Sequence, residues 1–221
     1  MCIRDRYKGP SLIDGKPIVV IAIVQSRNTK TGNMVQTYIL NDNGKSPLEN
    51  NKTGLDYSIC GNCVHRGNAT TDPNRKTAEK RTCYVNLGQG VLITWKNYQL
   101  GKYETAAGHA AIAELGRGRM VRIGTYGDGA AVPSYIWDSL LSEADGHTAY
   151  THQTDVPGVH ADPSRFMVSA DDKEQAQKAW QNGARTFRVI GNVNEMIKGF
   201  EILCPASEEA GRRTTVSYTH L

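Results

Sequence analysis

Cysteine spacing is the strongest chemical signal in this chain. The stretch Tyr57–Gln89, YSICGNCVHRGNATTDPNRKTAEKRTCYVNLGQ, holds three of the five cysteines, Cys60, Cys63 and Cys83. A CxxC turn lets both sulfurs face one centre, and Cys83 returns after a polar loop. Thiolates ligate Zn²⁺ and iron–sulfur clusters, so the stretch predicts a metal site holding an iron–sulfur cluster or zinc. His65 and Cys204 are the candidate fourth ligands. His65 is near in sequence, though two residues beyond Cys63 is a tight separation for joint ligation; Cys204 arrives only through the fold. Three cysteines with an open position suit a [4Fe–4S] cluster with one free iron, the arrangement that binds S-adenosylmethionine. The same residues also admit a redox dithiol or plain buried thiols.

A second group of candidates comes from the ends of expected strands. In parallel α/β sheets ligands gather at the carboxyl ends, where loops vary while the sheet holds them. MVRI runs into Gly124, Thr125, Tyr126, Gly127 and Asp128; HTAYT into His152 and Gln153; FMVS into Ala170, Asp171 and Asp172; TFRVI into Gly191 and Asn192. Arg122 and Arg188 lie inside strands, where a charge is costly unless paired or facing a polar site. Asp128 and His152 are expected as catalytic acid–base groups, and Arg122, Tyr126, Asp171 and Arg188 as substrate contacts. Each also has an ordinary account. Gly-Asp after a strand is a common capped turn, and an arginine in a strand often sits on a solvated face.

The elements that must position these residues read as follows. Pro17–Val24 is a continuous β-branched run, the mark of a buried strand, and Met34–Leu40 is a second; together they predict a hairpin over 17–40 with a long turn from Gln25 to Asn33. Residues 7–16 form a polar lead-in, and 41–56 read as loop. Between Cys63 and Cys83 almost nothing is apolar, so that loop is not expected to order itself by burying hydrocarbon, and a metal tying its ends would order it. Helices are expected over 91–100, 105–115, 133–144, 172–181 and 193–198. Strands are expected at 120–123, 147–151, 165–169, 186–190 and 201–204. Strand and helix in alternation from 105 to 204 predict an α/β fold: βα units in a mainly parallel, partly barrel-like sheet, with an N-terminal β-hairpin and the Cys loop (57–89) inserted.

Length and composition suit a single domain over 7–215. Hydrophobic residues are 39% and charged residues 22%, well away from a disordered composition. A formal charge of +4 permits nucleic-acid contact without arguing for it. No apolar run approaches a membrane span, so no membrane partner is expected. The ends, MCIRDR (1–6) and VSYTHL (216–221), resemble translated sequencing-adapter sequence and are set aside. Cysteines at metal-ligand spacing fit a reducing compartment, hence a cytoplasmic location.

The runs YSICGNCVHRG and RTCYVNLGQG, GRMVRIGTYGDGAAVP, GHTAYTHQ, ARTFRV and CPASEEAGRRTT together resemble an uncharacterised family of phage and prophage proteins. That family is distantly similar to the phage gene product 88 family, and the likeness runs over about residues 8–215. The resemblance implies a phage-encoded protein of the bacterial host cell. It also implies a second group of cysteines after the GRRTT-like stretch, where this chain has Val216. Cys-Tyr after an upstream cysteine pair, followed by βα units, is faintly similar to radical S-adenosylmethionine proteins, at the level of fold analogy; their compact CxxxCxxC loop is not present.

Two functional readings follow. One is a metalloprotein, and in its enzymatic form a cluster lies over the strand-end residues. The other is a zinc-stabilised nucleic-acid-binding or interaction module, with Arg66, Arg75, Lys76, Lys80 and Arg81 on phosphate and no aromatic interleaving for base stacking.

Overall fold

The β-branched run predicted as a buried strand is the centre of the sheet's first half. It forms β2 (Pro17–Ile23), with Ile18, Val19 and Ile21 wholly buried, so both faces are covered. Each such side chain contributes about 1.5–3 kcal/mol relative to exposure. The computed structural model describes residues 3–24, 33–106, 108–157, 159 and 161–204. β3 (Val35–Asn41) pairs antiparallel with β2, as the hairpin reading expects; most of its connection, residues 25–32, lies outside the described residues, as do 205–221.

β1 (Ile3–Pro10) pairs antiparallel with β2 through a bulge between Asp5 and Tyr7, so the expected lead-in begins as a strand. Its sequence lacks an apolar run because pairing with β2 supplies its backbone partners. The other strands are β4 (Glu104–Thr105), β5 (Met120–Tyr126), β6 (Gly146–Thr151), β7 (Met167–Ala170) and β8 (Thr186–Arg188). The order across the eight-stranded sheet is β4-β1-β2-β3-β5-β6-β7-β8. The β3–β5, β5–β6, β6–β7 and β7–β8 pairs are all parallel. This is the expected α/β architecture: from β5 onward neighbours in the sheet are neighbours in the chain, and the carboxyl ends of β3 and β5–β8 share one edge.

The helices are α1 (Pro47–Lys52), α2 (Tyr57–Cys60), α3 (Leu92–Gln99), α4 (His109–Gly116), α5 (Ser134–Leu141) and α6 (Lys173–Gln181). α1 falls where a loop is expected. Ser46 and Glu49 form a reciprocal capping box with Pro47 in the first turn, which starts a helix despite the polar composition. Three expectations shrink. The 105–115 helix begins only at His109, since Glu104–Thr105 pairs with β1. The 193–198 helix is a single 3₁₀ turn over Val193–Glu195. Residues 201–204 form no strand, because the Glu201 side chain is drawn onto Arg188 and the Ile197 amide.

α4 and α5 pack together and bury Leu115, Ile136, Trp137 and Leu140, with Val121 and Ile123 of β5 in the same core. The Trp137 indole donates to Gly129 O at 2.9 Å, fixing the turn after β5. β5 and β6 stay paired only to Ile123 and Ala149; from Tyr150 on, β6 pairs with β7. The carboxyl edge therefore opens between β5 and β6, and side chains fill the gap. No helix among the described residues is long and apolar enough to cross a membrane.

Candidate metal centre

The gap between β5 and β6 is closed by two residues that also hold the CxxC turn. Asp128 follows β5, and its backbone N–H donates to Ile59 O at 2.6 Å. Gln153 follows β6 and is wholly buried. Its Nε2 donates to Cys60 O (2.8 Å) and to Asp128 Oδ2 (3.0 Å), while its Oε1 accepts from Asn62 N (3.1 Å). One amide thus grips both sides of the turn Cys60-Gly61-Asn62-Cys63. Gly61 has φ +50°, and a Cβ there would stand 1.9 Å from Gln153 Oε1, so the turn closes on Gln153 only with glycine.

Asp128 also accepts from Ala130 N, Thr151 Oγ1 and His152 N. Burial pushes its carboxyl upward, and these donors pull it back only in part. His152 is held by its backbone, and burial lowers its ring pKa more than Asp128 and Asp171 raise it, so the ring favours the neutral form.

The loop beyond Cys63 is held by polar contacts. The Arg66 guanidinium forms a buried pair with Asp56 (2.5 Å) and donates to Gly61 O and Gly54 O. Asn51 donates to Asp56 Oδ2 and Arg66 O and accepts from Ala78 N. Asn68 and Glu79 exchange backbone bonds in a lone antiparallel bridge. The amides of Thr82 and Cys83 both donate to His65 O, which returns Cys83 to the CxxC turn.

The charges of Cys63 and Cys83 bear on Cys60, and that of Cys83 on Cys63. Burial raises the Cys60 thiol well above the ordinary range and Cys63 to about 11, the latter partly offset by the His65 backbone N–H at its sulfur. A reactive redox pair needs a lowered pKa, so this environment disfavours that reading. At the end of β5 lies Tyr126, whose hydroxyl is buried with no hydrogen-bond partner among the described residues. Burial comes first in raising its pKa, followed by the charges of Cys60 and Asp56.

Beside the thiols, His65 Nε2 lies 3.4 Å and His152 Nε2 3.9 Å from Asp171 Oδ1, with the two rings edge-on at 5.6 Å. Among the described residues this is the one group of three or more His, Cys, Asp or Glu whose ligand atoms all lie within 4.8 Å of one another. The sulfurs of Cys60, Cys63 and Cys83 stand farther apart than that as a set.

The remaining candidates scatter. Register places Arg122 beside Gln36 and Thr148, with its guanidinium donating to the exposed Tyr84 hydroxyl at 3.1 Å. Arg188 is bound by Glu201 and Glu195 O. Cys204 lies near Tyr150 and bears on its hydroxyl. Of the basic residues, Arg66 is turned inward, Arg75 donates to Ala78 O, and Arg81 caps Cys83 O and Val85 O. Lys76 and Lys80 stay exposed.

Gln153, Asn51 and Asp56 escape the sequence reading. Gln153 stands one residue beyond His152 at a strand end, and position was its only signal. No protein family, curated protein or solved structure matches the chain.

Proposed function

We propose that the chain is a metalloprotein whose thiolates Cys60, Cys63 and Cys83 hold an iron–sulfur cluster over the carboxyl edge of β5–β7. The observation that carries this reading is the CxxC turn gripped on both sides by Gln153, with Cys83 returned toward it by the Thr82 and Cys83 amides on His65 O. Sulfur spacing favours a cluster over one zinc. A tetrahedral zinc with Zn–S of about 2.3 Å holds its sulfurs about 3.8 Å apart. A cluster spreads its thiolates over several irons, and these sulfurs are not gathered as a set within 4.8 Å.

When bound, the cluster would supply electron transfer, and three thiolates leave one iron of a four-iron cluster without a protein sulfur. That open position is what a radical S-adenosylmethionine type of enzyme requires. The chain's own residues do the rest: Gln153 and Asp128 hold the CxxC turn, and Arg122 offers a cation on the neighbouring strand face. The resemblance to phage proteins is consistent with such a role and adds no activity of its own.

Anaerobically purified protein is expected to carry iron and sulfide and to absorb broadly near ~400 nm. Added S-adenosylmethionine should perturb the reduced cluster's paramagnetic spectrum. A colourless protein with one zinc ligated by the three thiolates would refute the cluster. The nucleic-acid alternative is disfavoured by the inward use of Arg66 and Arg81. It would be restored by binding whose log affinity falls steeply with log salt.

A further inference from the structure

We propose that His65, His152 and Asp171 form a mononuclear site for a first-row divalent cation, separate from the thiols and open to a small oxygen-donor ligand. The inference stands independently of the cluster reading.

Three features carry it. The first is convergence. His65 Nε2 and Asp171 Oδ1 are 3.4 Å apart, and His152 Nε2 and Asp171 Oδ1 3.9 Å. Both separations exceed an N–H···O hydrogen bond. Two donors at about 2.1 Å from a shared ion stand roughly 3.0 Å apart at a right angle and about 3.4 Å at a tetrahedral one. The three ligand atoms all lie within 4.8 Å of one another, so closing on an ion asks for side-chain shifts on the order of 1–2 Å.

The second is orientation from behind. His65 Nδ1 is 2.8 Å from Thr82 Oγ1. A ligating histidine characteristically uses its second nitrogen in this way, which presents the other to the metal. His152 is anchored by its backbone N–H on Asp128, and Asp171 by its N–H on Gln175 Oε1 at 2.9 Å. The three donors thus come from three elements, each fixed by a contact outside the triad.

The third is the donor set. Two imidazoles and one carboxylate match borderline divalent ions, and a two-histidine, one-carboxylate face is the arrangement that leaves coordination positions open on iron(II). Asp171 is exposed and the histidines are only half-buried, so an ion has a way in and a ligand a place to bind.

The probe is Co²⁺ titrated into the full-length Cys60→Ser/Cys63→Ser/Cys83→Ser variant. One equivalent is expected to bind, with visible d–d bands and no thiolate-to-metal charge-transfer band. Adding His152→Ala or Asp171→Asn should weaken Co²⁺ at least about tenfold. Failure of the triple-serine variant to bind Co²⁺ while folded overturns the site, as does binding indifferent to both added substitutions. Should that variant not fold, Asp171→Asn in the otherwise unaltered chain decides. Loss of one oxygen- and nitrogen-ligated Co²⁺ supports the site, and unchanged stoichiometry overturns it. Loss of iron and sulfide alone in the triple-serine variant concerns the cluster and leaves the Co²⁺ result standing.

Discussion

Replacing Gln153 tests whether the CxxC turn is built by the sheet edge. The side chain is wholly buried and makes three hydrogen bonds, to Cys60 O, Asp128 Oδ2 and Asn62 N. At about 1 kcal/mol each, Gln153→Ala should cost about 3 kcal/mol, and more if the abandoned Cys60 carbonyl and Asn62 amide stay dry. In urea that is a midpoint lower by roughly 1–1.5 M at an ordinary slope. Gln153→Glu keeps the shape and the acceptor for Asn62 but sets a carboxylate against Asp128 where Nε2 lies 3.0 Å away. It should be at least as destabilising at neutral pH and recover on acidification, when one carboxyl takes a proton; Gln153→Ala should show no such recovery. Gly61→Ala adds a cross-check, since its Cβ would stand 1.9 Å from Gln153 Oε1. Removing Gln153 relieves that clash, so the double substitution should cost less than the sum of the two singles by about 1 kcal/mol or more. Gln153→Ala within about 0.5 kcal/mol of the parent, or additive Gly61 and Gln153 effects, would refute the clamp.

Arg66→Ala should cost about 3–5 kcal/mol by leaving the buried Asp56 unpaired, whereas Lys76→Ala and Lys80→Ala should stay within about 0.5 kcal/mol, all read by thermal or urea unfolding. Asp128→Asn should be most destabilising at low pH. A carboxyl whose folded pKa is raised contributes stability that is complete below the unfolded value of about 3.9 and is lost as pH rises through the folded value. The gap between parent and Asp128→Asn, followed by urea midpoints across that window, should therefore narrow as pH rises. Stripping metal with a chelator should leave residues 51–89 resistant to brief proteolysis, because Asn51, Asp56 and Arg66 order them; rapid cleavage there would show that the loop depends on its metal.

The frame was legible where hydrophobic period is strong. Pro17–Val24 announces itself by β-branched content and the strands before Asp128, His152 and Asp171 by their alternation with helices, and the strand-end rule then collects those residues on one edge. The polar elements were not legible by that signal. α1 is encoded by capping chemistry at Ser46 and Glu49, and β1 by pairing with β2. Gln153 carries no periodicity, and its importance depends on a turn ninety-odd positions away in sequence coming within 3 Å of it. Arg188 shows another limit: a charge in a strand suggested a ligand contact, and the structure pairs it with Glu201, which arrives from outside regular structure and which nothing local in the sequence foretells.

The loop's polar composition first suggested that a metal must hold it together. A structural zinc supplies folding energy because its ligands have no other means of meeting. Here they have other means. Cys83 is drawn to the turn by two amides on His65 O, Cys60 and Asn62 are gripped by Gln153, and Arg66 with Asp56 fills the interior. These contacts hold the cysteine-bearing turns in place, although the three sulfurs are not all within 4.8 Å of one another. Burial also raises the Cys60 and Cys63 thiols, so each thiolate formed on binding releases a proton it would otherwise keep. On the proposed reading, ionising these thiols would cost metal affinity, while the contacts that fix the turns would hold the centre in place at the sheet edge.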